Sequence, residues 1–244
     1  MMFRPSKNER IFIMWIFESP TNYSEMVSKI SKSVFIISLI ILYLFCQISE
    51  DFNLFLEQIS FGAVYELGGI KLNFALLVVP LLMGILEHVF KIHDKISSLL
   101  KIRIRYDKRI IISTMLKKCG NNKKVAKLSV KEIKKCMNIF YEYASSTSPK
   151  IDTHYITLTL NEWCWFWIFF DILILILPTS ILFLFLKWSY NNLLCVVIFV
   201  LALVVMLFLI MLQTISYTKK EIDVIFKEYR DDVQKGIKDA LHSR

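Results

Sequence analysis

The chain has 244 residues, 55% of them hydrophobic, a mean hydropathy of +0.51 and a formal net charge of +9. Soluble domains run at about 45–50% apolar. The excess here is gathered into long runs, which excludes an ordinary water-soluble fold. The five cysteines, Cys46, Cys119, Cys136, Cys164 and Cys195, include no CxxC pair. That argues against a zinc or redox motif of that kind and favours reduced thiols packed as small apolar groups.

A helix needs about 20 mainly apolar residues to cross roughly 30 Å of hydrocarbon. The first segment, residues 1–30, contains the run Ile11–Phe17. It is too short to cross, and lies on a bilayer surface or packs as a short helix. Residues 31–90 hold two apolar runs, Ser31–Ile48 and Leu72–Phe90. The first begins late and no cleavage pattern follows, so it is expected to act as an uncleaved insertion signal. Between the two runs, FGAVYELGG carries turn-forming glycines and predicts a short external hairpin or a partly inserted segment.

Residues 91–162 form a basic region. Phe90–Leu100 has helical periodicity and reads as a continuation of the second span. Arg109–Leu116 is a short apolar-rich piece closed by Cys119-Gly120-Asn121-Asn122. Ser129-Val130-Lys131-Glu132 has capping-box spacing and predicts a helix to about Ala144. Ile151–Leu160 reads as a short strand or a lead-in to the next span. Residues 163–216 hold two more runs, Trp163–Leu186 and Leu193–Ile215, the last without a charge. Residues 217–244 place Ile222, Ile225, Phe226, Tyr229, Val233 and Ile237 at helical spacing, an amphipathic helix. The expected fold is therefore all-α and integral to a membrane. It has four transmembrane helices and a small helical cytosolic region.

Lysine and arginine set the orientation. Arg4, Lys7, Arg10, Lys29 and Lys32 precede or open the first span. The loop Ser49–Ile70 has no basic residue, whereas Lys91–Glu162 has sixteen and the tail after Ser216 has seven. This predicts an inner-membrane, multi-pass protein with both termini in the cytoplasm. Trp163, Trp165, Trp167, Trp188 and Tyr190 sit where interfacial aromatics are expected.

Two groups of residues are candidates for function. Asp171 lies about 12 Å inside the third span, where a charge is costly and usually serves a purpose. It reads as a pore-lining, proton-linked or gating carboxylate, or as a buried acid that joins helices. Gln213 and Thr214 on the fourth span, or Glu87 and His88 on the second, are its candidate partners. The second group is cationic: Lys101, Arg103, Arg105, Lys108 and Arg109, then Lys117, Lys118, Lys123 and Lys124, with Lys127, Lys131, Lys134 and Lys135 beyond. It reads as a topology signal attracted to anionic lipid, or as a site for a cytosolic protein partner or anionic ligand. The alternation in Lys101–Arg105 puts its charges on one side of an extended segment. Pro80 and Pro178 lie inside spans, where a lost backbone hydrogen bond favours a kink. His88 and His93 are five apart, which is not the i, i+4 pattern of helical zinc sites. No phosphate loop, GxSxG, HExxH or DxDxDG is present. The reading is of a non-enzyme without cofactor or metal.

The string LEHVFKIHDKISSLLKIRIRYDKRIII, Leu86–Ile112, resembles the cytosolic exit of small four-span membrane subunits from bacterial anti-phage defence systems of the Kiwa class. The likeness covers a tenth of the chain and carries over no functional residue. It implies a defence or stress-signalling setting. The expectation is a homo-oligomeric effector or sensor that perturbs membrane integrity when its basic region engages a signal or partner. The alternatives are a passive anchor that recruits a cytosolic or nucleic-acid-binding partner, and a transporter or intramembrane enzyme.

Overall fold

The computed structural model describes residues 18–60, 64–67, 70–121, 125–186 and 188–242. The Ile11–Phe17 run lies outside them. The described backbone is helical except for one hairpin. Helix α1 is Tyr23–Ile48 and α2 is Glu50–Ile59. Strands β1, Val64–Leu67, and β2, Ile70–Asn73, pair antiparallel with Val64 opposite Asn73 and Leu67 opposite Ile70. Then come α3, Phe74–Phe90, and α4, Ile92–Leu99. Helix α5, Ile102–Tyr106, runs into a π-helical stretch, Asp107–Ile112, and on into α6, Ser113–Lys118. Helices α7, Val130–Tyr143, α8, Thr153–Leu186, α9, Tyr190–Glu228, and α10, Arg230–His242, complete the chain.

Three of these helices, α1, α8 and α9, are long and apolar enough to cross a membrane, and α3 with α4 makes a fourth candidate if that bent pair is one span. Helix α9 is the extreme case, with 11% of its most apolar window buried inside the protein. Val197, Ile198, Leu201, Val204, Val205, Phe208 and Leu209 are all exposed. Leu203, Leu207 and Ile210 bury a narrow face, and so broad an exposed apolar surface needs apolar surroundings.

The chain divides into two compact units. The first, an apolar unit, comprises residues 27–93 and 164–209 with the segment ending at Glu18. Its helices are seated by local chemistry. Ser49 caps α2 by accepting the Phe52 amide at 3.3 Å. The Ser60 hydroxyl donates to the Leu56 carbonyl at 2.7 Å and accepts the Ala75 amide at 2.9 Å, which joins the end of α2 to the first turn of α3. Phe45, Phe52 and Phe183 interlock, with Phe45 and Phe183 stacked at 5.1 Å. Leu42, Leu56 and Leu76 close around them. Helices α1 and α3 touch where side chains are smallest. A Cβ on Gly84 would lie 3.2 Å from the Ser31 carbonyl oxygen and 3.3 Å from the Phe35 Cβ, and the Ser31 hydroxyl donates to the Gly84 carbonyl at 2.7 Å.

The second, a polar unit, comprises residues 19–26, 94–163 and 210–244. Asn22 caps α1 by accepting the Glu25 amide at 3.0 Å, while Glu25 reaches back to the Thr21 amide and hydroxyl, both at 2.8 Å. The α6 terminus is a Schellman turn. Gly120 has φ 67°, its amide donates to the Lys117 carbonyl at 3.1 Å, and the Asn121 amide donates to the Leu116 carbonyl at 3.0 Å. Ser129 and Glu132 form both bonds of a capping box at the start of α7. The core packs Ile111, Ile112, Met115 and Leu116 against Met137, Phe140, Ile222, Ile225, Val233 and Ile237.

Several expectations are corrected. Helix α1 begins at Tyr23 rather than Ser31, because a cap is available there and α1 continues through charged turns. Phe90–Leu100 is not one continuation of α3. The helix stops at Phe90, Lys91 takes φ 47°, and α4 leaves at 68°. Residues 101–105 are not extended, because α5 is helical from Ile102. Of the two readings of Ile151–Leu160, the lead-in to the next span holds and the strand does not, since Asp152 caps α8 by accepting the His154 amide at 2.9 Å. The tail helix is split at Tyr229 into the end of α9 and α10.

The α1–α3 contact gives a direct test. Gly84→Val is expected to cost about 1–3 kcal/mol by overpacking, and Ser31→Ala about 1 kcal/mol by losing one buried hydrogen bond. Both read as lower melting midpoints of the detergent-purified protein. A Gly84→Val variant that melts with the wild type would rule the contact out.

Candidate functional site

The strongest concentration of reactive groups in the apolar unit lies at the end of α3. Glu87, His93 and Asp171 are all buried, at 2%, 1% and 4% exposure. Glu87 stands in the last turn of α3, and its carboxylate is used across the break at Lys91. Oε2 accepts the His93 amide at 3.3 Å, capping the first turn of α4, and Oε1 meets the His93 ring at Nδ1. A bend without Gly or Pro at its vertex is thus held by a side chain that satisfies an otherwise unpaired helix amide. Trp167 on α8 places its ring 5.6 Å from that of His93. Asp171, one turn further along α8, interacts electrostatically with Glu87. Both of its carboxylate oxygens are enclosed from solvent, and Glu87 is the neighbour that its carboxyl meets.

Two carboxyl groups and an imidazole, enclosed together in an apolar unit, are groups that hold and exchange protons. Leaving them all charged and unpaired would cost several kcal/mol per ion. Among the described residues no group of three or more His, Cys, Asp and Glu side chains is arranged to hold a metal ion. Lys29 on α1 is also buried, donating to the Glu18 carbonyl at 2.8 Å and lying 5.0 Å over the Trp165 ring.

The structure brings together only part of the expected set. Asp171 and Glu87 meet, but the histidine beside Glu87 is His93, and His88 is exposed on α3. Gln213 and Thr214 belong to the polar unit, because α9 continues well past its apolar run. Gln213 is exposed there. The Thr214 hydroxyl donates to the Ile210 carbonyl at 2.8 Å. Of the cationic set, Lys101 precedes α5, Arg103 and Arg105 lie on it, Lys108 and Arg109 lie on the π-helical stretch, and Lys117 and Lys118 end α6. Lys123 and Lys124 lie outside the described residues. Lys101, Arg105, Arg109 and Lys117 are exposed. The Arg103 guanidinium donates to the Tyr141 hydroxyl at 3.2 Å, and Lys118 pairs with Asp223 at 2.8 Å. The positive charges are spread around a helix, since Tyr106, Ile111 and Ile112 on the same run must reach the core.

A second polar cluster escaped the sequence reading. The Tyr106 hydroxyl donates to the Thr214 carbonyl at 3.1 Å and shares a 2.7 Å hydrogen bond with the Thr218 hydroxyl. The Tyr106 ring packs edge-on against Trp163 at 4.8 Å. Glu221, one turn on from Thr218, is buried. The signal for this line was available: Thr214, Thr218, Glu221 and Ile225 follow i, i+4, i+7, i+11 spacing, so they share a face. Beside Tyr106, Asp107 opens the π-helical stretch. Its partial burial pushes the carboxyl up to about 6, while the Arg103 guanidinium pulls the other way.

Asp107 fixes a pH dependence. Its folded-state value is raised above the usual value of about 3.9, so the folded state binds this proton more tightly than the unfolded one. Its ionisation therefore opposes folding: stability falls as pH rises from about 4 through about 6, and the cost is complete above that. Asp107→Asn is expected to melt above the wild type at pH 7.5 and with it at pH 4. A gap that does not change between those pH values would refute this assignment.

The model of the YmfE protein family matches residues 22–243. The chain is 28% identical over 158 residues to the Escherichia coli (strain K12) protein YmfE, itself uncharacterized. That match takes in 60% of this chain and 63% of the relative's length. No solved structure matches the chain. The family match runs from the cap of α1 to the end of α10, taking in every helix described above, and the chain therefore belongs to the YmfE protein family.

Proposed function

We propose that this protein is a four-span subunit of the bacterial cytoplasmic membrane, with both termini and the polar unit in the cytoplasm. It acts as a homo-oligomeric sensor or effector: engagement of the polar unit changes the packing of the spans and perturbs the membrane barrier. The observation that carries this reading is the enclosure of Glu87, His93 and Asp171 in the span-bearing unit, at a bend secured by one of those side chains. A static anchor has no need to bear that desolvation cost.

Topology supports the reading. Helix α3 has 17 residues, about 25 Å at 1.5 Å each, which suffices for a short span. Taking it as the second span gives four crossings and puts both large basic segments on one side, as the positive-inside rule requires. The almost unburied apolar stretch of α9 supplies a surface for lipid or for a second copy. The defence or stress-signalling setting follows from the resemblance at Leu86–Ile112. A passive anchor is the second reading, favoured by the exposed Lys101, Arg105, Arg109 and Lys117.

The two readings separate in one experiment. The protein is induced in bacteria carrying a potential-sensitive dye, with and without phage challenge, at matched membrane abundance. The effector reading expects depolarisation or altered phage growth, lost in Asp171→Asn and Glu87→Gln. An anchor expects those variants to be silent and charge reversal of Lys101 and Arg105 to abolish co-purification of a partner. Absence of any depolarisation or effect on phage growth would sink the effector reading.

A further inference from the structure

The polar unit contains an open surface pocket of about 360 Å³, lined by Lys118, Asp223, Phe226, Lys227 and Arg230. It lies where α6 ends beside α9 and where α9 gives way to α10. Its size is within the range of small-molecule sites, about 300–1,000 Å³. Three of its five lining side chains are cations and one is a carboxylate. Lys118 is held in place on two sides, by Asp223 at 2.8 Å and by the Phe226 ring, 5.8 Å from its ammonium. Lys227 and Arg230 are exposed. Lys227 lies in the last turn of α9 and Arg230 opens α10, so the break at Tyr229 places one cation on each side of it.

From this we infer that the cavity is a binding site for a small soluble molecule bearing two or more phosphate-like groups. The guanidinium of Arg230 suits forked recognition of one group, and the two ammonium ions act as point charges on the next. Asp223 pairs with Lys118 at 2.8 Å, so it is the internal carboxylate with which an incoming anion would compete. Phosphate chemistry also comes from lipid headgroups, but the register of α9 argues against that source. Asp223 lies eight residues beyond Ile215, about 12 Å along a helix, and the headgroup layer is only about 5–7 Å deep on each side. The inference rests on the reading of the polar unit as the cytoplasmic receiver of a signal, and it names the chemistry of that signal.

The test uses the full-length protein in detergent and inorganic pyrophosphate as probe, titrated by calorimetry at constant ionic strength. Saturable binding is expected. Lys227→Glu and Arg230→Glu, both at exposed positions, are expected to weaken it at least tenfold. Asp223→Asn is expected to strengthen it by removing the internal competitor. Lys95→Glu, an equal charge change at an exposed position outside the cavity, is expected to leave it unchanged. No saturable binding, or an equal loss from Lys95→Glu, would overturn the site, since either result reduces it to general cationic attraction. A parallel titration in nanodiscs compares pure phosphatidylcholine with a phosphatidylglycerol mixture. Pyrophosphate affinity is expected to be the same in both, and competition by the anionic lipid would overturn the soluble-ligand assignment. None of these readings depends on depolarisation, so failure of the effector reading and failure of the site are told apart.

Discussion

A 39-residue helix that buries only 11% of its most apolar window within the protein sets the terms for everything else. Side chains such as Phe208 and Leu209 find no protein core, so they demand an apolar exterior. In such an exterior, backbone amides have no water to fall back on and must be paired within the chain. Long helices are the simplest way to meet that demand, and α1, α8 and α9 supply them. At two helix starts a side chain bonds the exposed amide: Ser60 at α3 and Glu87 at α4.

Under the same constraint, several polar groups of the apolar unit are paired inside it. The Ser31 hydroxyl bonds the Gly84 carbonyl, which allows two backbones to approach. Glu87 and His93 satisfy each other. Asp171 is the costlier case, a buried carboxyl whose neighbour is a second buried carboxyl, Glu87. Stability alone gives no reason to place two acids together in an apolar unit, and this sets the cluster apart from the exposed basic residues. The polar unit follows ordinary rules. Its core is a contiguous set of aliphatic and aromatic side chains, and its helix ends are closed by Asn22, Gly120, Ser129 and Asp152.

What the sequence disclosed divides along the same line. Features governed by local chemistry were legible: the capping box at Ser129 and Glu132, the stop at Gly120, and the long apolar runs. The apolar face of Ile222, Ile225, Val233 and Ile237 was legible as well, because helical spacing alone defines it. Features settled by tertiary partners were not. Nothing in Phe90-Lys91-Ile92 marks a break, because the bend depends on the Glu87 carboxylate reaching His93. The π-helical stretch Asp107–Ile112 has an unremarkable composition. Tyr106 looked like one more residue of a basic string until Thr214 and Thr218, more than a hundred positions away, supplied its partners. Partnership for Asp171 was half legible: Glu87 is on the right span, whereas His93 was judged only for metal spacing.

Helix α4 is bracketed by two lysines in the left-handed backbone region, Lys91 at φ 47° and Lys101 at φ 55°. Each costs about 1–2 kcal/mol relative to the right-handed form. Glycine would adopt either angle without that cost, yet also without preference. The lysines therefore carry a backbone strain that glycine would not. At Lys91 the strained residue is followed, two positions on, by the His93 amide that the Glu87 carboxylate holds, so the turn out of α3 is fixed from both sides of the vertex.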